Sequence, residues 1–282
     1  MKLSRLVSIC FLLFAFFACK KDDNKDATSS TNNNPTSYLL KKMTFEHTAA
    51  TNGLIILFEY NTNNQVSQIK NIQWNYGAMN LPPGQKWYDT STHSFNYSNN
   101  LAVSCTRKER TGTWFYDYEY RGNQIIKRTI KYADGNIQGY NFYHYNAEGK
   151  LIERVDSTNK VTFRRSIIYD NQLITLITYN LWSTPQKKSK TEYSNFDSKV
   201  NFTKAVNGLP VNAAWDDFTI GTYSSSSPNN FGFQQHYWDV DIDKDFGAPT
   251  SDNYSYEYNE EGLPTKMYYA GWTVVFEYRK YK

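Results

Sequence analysis

One tyrosine after another closes a run of alternating apolar residues: Tyr60, Tyr97, Tyr120, Tyr145, Tyr169, Tyr193 and Tyr258. From Tyr97 to Tyr193 the intervals are 23, 25, 24 and 24 residues. Around each anchor a phrase returns: LFEYNTNNQVSQI over 57–69, HSFNYSNNLAVSC over 93–105, YHYNAEGKLIERV over 143–155 and YSYEYNEEGLPTKMYY over 254–269. Alternation with period two puts every second side chain on one face of a strand. Turn residues follow the aromatic run: Asn99-Asn100, Gly122-Asn123, Asn146 to Gly149 and Asp170-Asn171. They reach positive φ cheaply. A Leu- or Ile-rich run then returns, as at Ile125-Ile126, Leu151-Ile152 and Leu173-Ile174. In Asn-Ala-Glu-Gly, a type I turn with Gly149 in the left-handed region closes a hairpin.

A unit of about 24 residues is one hairpin plus a connection, so consecutive units pair as an antiparallel meander. The fold class is all-β. The 17% aromatic content, with 24 Tyr, agrees with it, because these rings suit half-buried strands. A long meander with one apolar face curls, and about ten to fourteen strands would form a barrel or half-barrel. The strands carry charge on both faces, as at Lys127-Arg128 and Arg164-Arg165. That argues against a wall facing lipid, where each Lys or Arg costs about 2–4 kcal/mol at the midplane.

The N-terminus follows other rules. Lys2 and Arg5 precede the apolar run VSICFLLFAFFA, 7–18. It is too short to span a bilayer and has the layout of a secretory signal over 1–18. Ala18-Cys19 at its end resembles a bacterial lipobox, with Phe16 where Leu is usual. The resemblance implies cleavage before Cys19 and diacylation of its thiol. Lys21-Asp22-Asp23 resembles the export signal of surface lipoproteins in the Bacteroidota, which implies the outer leaflet of the outer membrane; alternatively, it is a charged tether. The polar stretch ATSSTNNNPTS, 27–37, cannot bury enough apolar surface to order itself, so 19–37 is expected to be lipidated Cys plus linker, and 38–282 a single β-meander domain.

With the Asn-x-x-Gly phrases of 145–151 and 258–263, the chain resembles the YD-repeat-like lipoproteins of Bacteroidota, with Asn in place of Asp. That resemblance implies a curved, porin-like antiparallel sheet and no known activity.

Lys2 and Arg5 are the only charges in the leader, so its removal takes the formal net charge from +4 to +2. Near-neutrality does not favour a nucleic-acid partner. The partners expected are the membrane, through the lipid, and a glycan or another envelope protein. Of three cysteines, Cys10 leaves with the leader and Cys19 carries lipid, so Cys105 is expected to be a buried strand thiol.

The phrase fails between Gly77 and Thr92 and between Val206 and Asn253. The second break is expected to be a loop and short-helix insertion, with a helix over 211–218 after Pro210, able to plug the curled sheet. Loops on a rigid scaffold are where binding sits, so a site is sought here first. Asp239, Asp241, Asp243 and Asp245 alternate, and on one continuous strand all four would share a face. Such oxygens suit Ca²⁺, but Lys244 and Thr250 occupy the Gly and Glu positions of the calcium-loop pattern. A solvent-facing acidic edge is the plainer reading. His47, His93, His144 and His236 show no metal-ligand spacing, and neither a nucleophile elbow nor a phosphate loop is present. No cofactor and no catalytic activity are expected. The alternative is a carbohydrate-active enzyme, or a carbohydrate-binding accessory protein, using the 206–253 region. Trp87, Trp182, Trp215 and Trp238, in or near loops, offer rings that stack on sugars or pack a rim.

Overall fold

The computed structural model describes residues 38–48, 53–74, 88–158, 162–170, 172–206 and 229–280. The leader, Cys19, the Lys21-Asp22-Asp23 signal, the linker, the 211–218 helix, Trp87 and Trp215 lie outside them. Seventeen strands are described: β1 Tyr38–His47, β2 Gly53–Tyr60, β3 Val66–Trp74, β4 Tyr88–Ser98, β5 Leu101–Glu109, β6 Gly112–Arg121, β7 Gln124–Tyr132, β8 Ile137–Tyr145, β9 Leu151–Thr158, β10 Thr162–Asp170, β11 Leu173–Asn180, β12 Lys187–Val200, β13 Asn229–Asp241, β14 Thr250–Asn253, β15 Ser255–Tyr258, β16 Pro264–Tyr269 and β17 Trp272–Lys280. This exceeds the ten to fourteen expected. Part of the difference is β13 and β14, which lie inside the stretch expected to be an insertion. The only helix among the described residues is one 3₁₀ turn, Phe202–Ala205.

All pairings are antiparallel. From β1 to β14 each strand pairs with the next, β15 pairs with β16, and β16 with β17. β17 pairs with β1 from Tyr38–Lys280 to His47–Trp272, so the sheet curls into a nearly closed barrel. β14 and β15 form one bent pass interrupted at Tyr254: its first half pairs with β13 and its second half with β16.

The up-and-down course gives the barrel two ends. At one lie the β2–β3, β4–β5, β6–β7, β8–β9, β10–β11 and β15–β16 turns, together with the start of β1 at Tyr38. Here the expected turn chemistry is observed. Gly149 has φ +76°, its N–H donates to the Asn146 carbonyl, and Asn146 Oδ1 accepts from the N–H groups of Glu148 and Lys150. Asn259 with Gly262 repeats the arrangement. Asn99 and Asn100 both adopt positive φ in a two-residue turn.

The recurring tyrosines have a specific task at this end. Tyr60, Tyr97, Tyr120, Tyr145 and Tyr169 each donate a phenolic hydrogen bond to a carbonyl on the preceding strand: Leu40, Val66, Ala102, Ile125 and Leu151, at 2.7–3.0 Å. In each case the backbone ladder has just stopped. The last β3–β4 pair is Gln68–Ser94, and the hydroxyl of Tyr97, three residues on, reaches Val66, two residues back. The same offset recurs at the other four, and also for Tyr278 to Pro264 and Tyr256 to Phe231. Tyr193 differs: its ladder runs through the Ile174–Tyr193 pair, and its ring meets Phe231 edge-on. Tyr258, expected as an anchor, bonds Asp197 instead.

One face of the sheet forms the core. Met43, Ile56, Phe58, Ile69, Phe95, Cys105, Tyr118, Ile167, Met267, Val274 and Phe276 are buried on it, with Cys105 as the buried strand thiol expected. Phe202, Ala205 and Val206 join this core near the tyrosine end, where Phe202 packs against Phe276 at 5.0 Å between ring centroids. Apart from Val206, this packing comes from residues before the 206–253 stretch, and 207–228, expected to plug the sheet, lie outside the described residues.

Candidate functional site

Every described tryptophan lies at the opposite end of the barrel. Trp74 ends β3, Trp114 lies at the start of β6, Trp272 opens β17, Trp238 is near the end of β13, and Trp182 sits in the β11–β12 connection. Most have neighbours that hide them: Trp272 meets His47 edge-on at 4.9 Å, and Arg107 lies over Trp114 at 5.8 Å. Gly53 makes room for Trp74, since a β-carbon there would run into the indole and the Phe45 carbonyl. Trp182 and Trp238 are different, at 61% and 64% exposed.

These two tryptophans lie on neighbouring parts of the rim, in the β11–β12 connection and near the end of β13. Asn180 Oδ1 accepts from the N–H groups of Trp182 and Ser183, which fixes the β11–β12 connection. Trp238 lies in a bulge where the register moves from Lys188–Val240 to Lys190–Tyr237, and a bulge re-aims its side chain. His236 braces the indole edge-on at 4.5 Å, and its Nδ1 is 3.0 Å from Thr191 Oγ1. The N–H of Ile242 donates to the Gln186 carbonyl and joins the two connections. Phe246 folds back onto the outer wall, with Tyr237 at 5.8 Å and Lys188 at 4.9 Å, so the 242–249 loop is pinned to one side.

The four aspartates do not form the expected row. β13 ends at Asp241, which pairs with Lys187 at 3.2 Å, and Asp243 lies in the turn that follows. The bulge and the turn break the period-two alternation that would have aligned them. Among the described residues no group of three or more His, Cys, Asp or Glu is placed to hold a metal.

Further inside, the barrel carries a polar belt that sequence alternation alone could not assign. Arg128 Nε donates to Asn141 Oδ1 at 2.6 Å, and Asn141 Nδ2 donates to Asp156 Oδ1 at 2.7 Å. Arg154 grips both oxygens of Asp156, at 2.5 and 3.0 Å. Arg128 also lies over the Tyr116 ring at 4.9 Å. Lys127 and Arg164 face outward in ion pairs with Glu119 and Glu153, whereas Arg128 and Arg165 face inward. A buried network of this kind fixes register at little net gain, and breaking it is costly. A hollow of about 470 Å³ on the outer wall is lined by Glu119, Arg121, Ile126, Lys127, Phe142 and His144. The Lys127–Glu119 pair already matches charge across it.

No family model matches the chain, and no curated protein matches it. Solved structures do. A porin-like protein from Bacteroides uniformis superposes with a TM-score of 0.55 at 11% identity, covering 85% of this chain and 98% of that one. A porin-like protein from Bacteroides vulgatus gives a TM-score of 0.34 at 10% identity, covering 86% of this chain and 98% of that one. The fold of the described residues is thus similar to that of a porin-like barrel.

Proposed function

We propose that the chain is a lipid-anchored envelope protein of the YD-repeat-like kind, whose barrel stands in water and works by binding, without catalysis. The observation that carries this is the outer wall. Ion pairs cross it on strand after strand: Lys42–Glu277, Lys131–Asp117, Lys127–Glu119, Arg164–Glu153, Lys190–Glu192 and Lys266–Glu257. A wall in contact with lipid would bury these charges, at about 2–4 kcal/mol for each Lys or Arg near the midplane. Attachment then falls to the N-terminus, where Ala18-Cys19 and Lys21-Asp22-Asp23 stand in lipobox-like order. A diacylated, N-acylated Cys anchors stably without a membrane-spanning segment. The likeness to a porin-like protein of Bacteroides supports an outer-membrane or envelope setting, and the Lys21-Asp22-Asp23 order favours the cell surface.

Cell fractionation of the parent and Cys19→Ala tests this. The parent is expected to take up labelled palmitate and to need detergent for extraction. Cys19→Ala is expected to lose the label and leave the membrane in an aqueous wash. A variant that resists that wash would mean that the barrel itself inserts, and would overturn the reading.

A further inference from the structure

We propose that the Trp182–Trp238 corner is a binding platform for neutral polysaccharide, taking pyranose rings by stacking on the two indoles. This rests on the water-facing, tethered barrel described above. Three observations lead to it.

The first is exposure with bracing. Trp182 and Trp238 are the two most exposed of the large apolar side chains described; the Trp238 indole is braced by His236 on Thr191, and the backbone that carries Trp182 is fixed by Asn180. An aromatic side chain held in place loses little freedom when a ligand stacks on it. Its apolar face and polar edge suit a sugar, which presents C–H groups on one face and hydroxyls around its rim.

The second is charge. The lysines of the corner are spoken for within it. Lys187 pairs with Asp241, Lys190 pairs with Glu192 and lies over Tyr237, and Lys188 lies over Phe246. The charge left over is acidic, since Asp239, Asp243 and Asp245 are exposed with only Lys244 beside Asp243, and it repels an anionic ligand. That balance matches a neutral polar ligand better than an anionic membrane surface. The exposed apolar surface here, Trp182, Trp238 and Ile242, is also small for a stable protein interface.

The third is orientation. The chain enters the barrel at Tyr38, at the tyrosine end, and with the lipid on Cys19 the tether would be residues 19–37. A tether entering there joins the barrel at the end opposite the tryptophan rim.

The test uses full-length protein carrying Cys19→Ala, so that its outcome does not depend on lipidation. Neutral tetrasaccharides of β-1,4-glucan, α-1,4-glucan, β-1,4-xylan and β-1,4-N-acetylglucosamine are titrated by calorimetry and by indole fluorescence. At least one is expected to bind and shift the emission. Trp182→Ala and Trp238→Ala are each expected to weaken it about tenfold, Trp238→Phe less, and Trp74→Phe not at all. Both indoles are exposed, so unchanged melting temperatures would establish that these variants fold. If no tetrasaccharide binds at about 10 mM, the proposal is overturned. Binding that survives both alanine variants, or that goes to anionic phospholipid vesicles instead, overturns it equally.

Discussion

At Tyr145 the ring packs against the core while the hydroxyl donates to the Ile125 carbonyl, 2.9 Å away. The β7–β8 ladder ends at Lys127–Phe142, so that carbonyl would otherwise turn to water or stay under-satisfied. The phenol is long enough to extend the pairing by one further bond where the strands splay. Tyr145→Phe keeps the ring and removes this bond, and is expected to cost about 1 kcal/mol. Urea unfolding measures it, with Tyr140→Phe, a ring on the outer wall, as the control. Equal stability of the two variants would mean that the hydroxyl contributes nothing. The turn beyond Tyr145 was legible residue by residue, because Asn146 and Gly149 act on their own backbone within five positions. The acceptor of Tyr145 was not legible, because it lies twenty residues back across a hairpin.

The weakest element is the pass that changes partners at Tyr254. Toward the tyrosine end, β13 and β15 face each other with no backbone ladder described between them, and side chains bridge the gap. Asp197 accepts from Tyr258 and from the N–H groups of Asn230 and Lys199, while Tyr256 reaches the Phe231 carbonyl. Asp197→Ala is expected to cost about 1–3 kcal/mol by leaving these donors without their acceptor. Amide exchange should accelerate at 230–232 and 255–258 before it does in β6–β8. Uniform acceleration across all strands would contradict a local seam. β13 was missed in the sequence for a related reason. Its pairing moves from Lys188–Val240 to Lys190–Tyr237, and the extra residue at Trp238-Asp239 resets the alternation by which a strand is recognised.

Across the whole molecule, the buried phenols set a pH limit. Burial is the main cause that pushes Tyr97, Tyr120, Tyr254, Tyr256 and Tyr278 above their ordinary 10.0, and it raises Tyr269 to about 12. Below pH 10 these groups hold their protons folded and unfolded alike, so their contribution is intact. Above it the unfolded chain ionises while the folded barrel does not, and stability is lost as the pH climbs toward the folded values. The melting temperature is therefore expected to hold level from neutral pH to about 10 and then fall steeply, with phenolate absorbance from these rings appearing only on unfolding. Smooth titration of all 24 tyrosines near pH 10 with the fold intact would refute this.

The all-β class, the hairpin units and their turns were written in the sequence, because alternation and positive-φ residues act over a few positions and need no partner. Lys127-Arg128 and Arg164-Arg165 were visible as neighbours with opposite destinations, but not which member faces the core. Closure was decided only in three dimensions: β17 meeting β1, the bent pass at Tyr254, Asp197 bridging the seam, and the gathering of every described tryptophan at one end. Those features arise between residues far apart in the chain. Ring closure fixes them collectively, through strand number, register and bulges summed around the whole barrel, and no local stretch of sequence carries that sum.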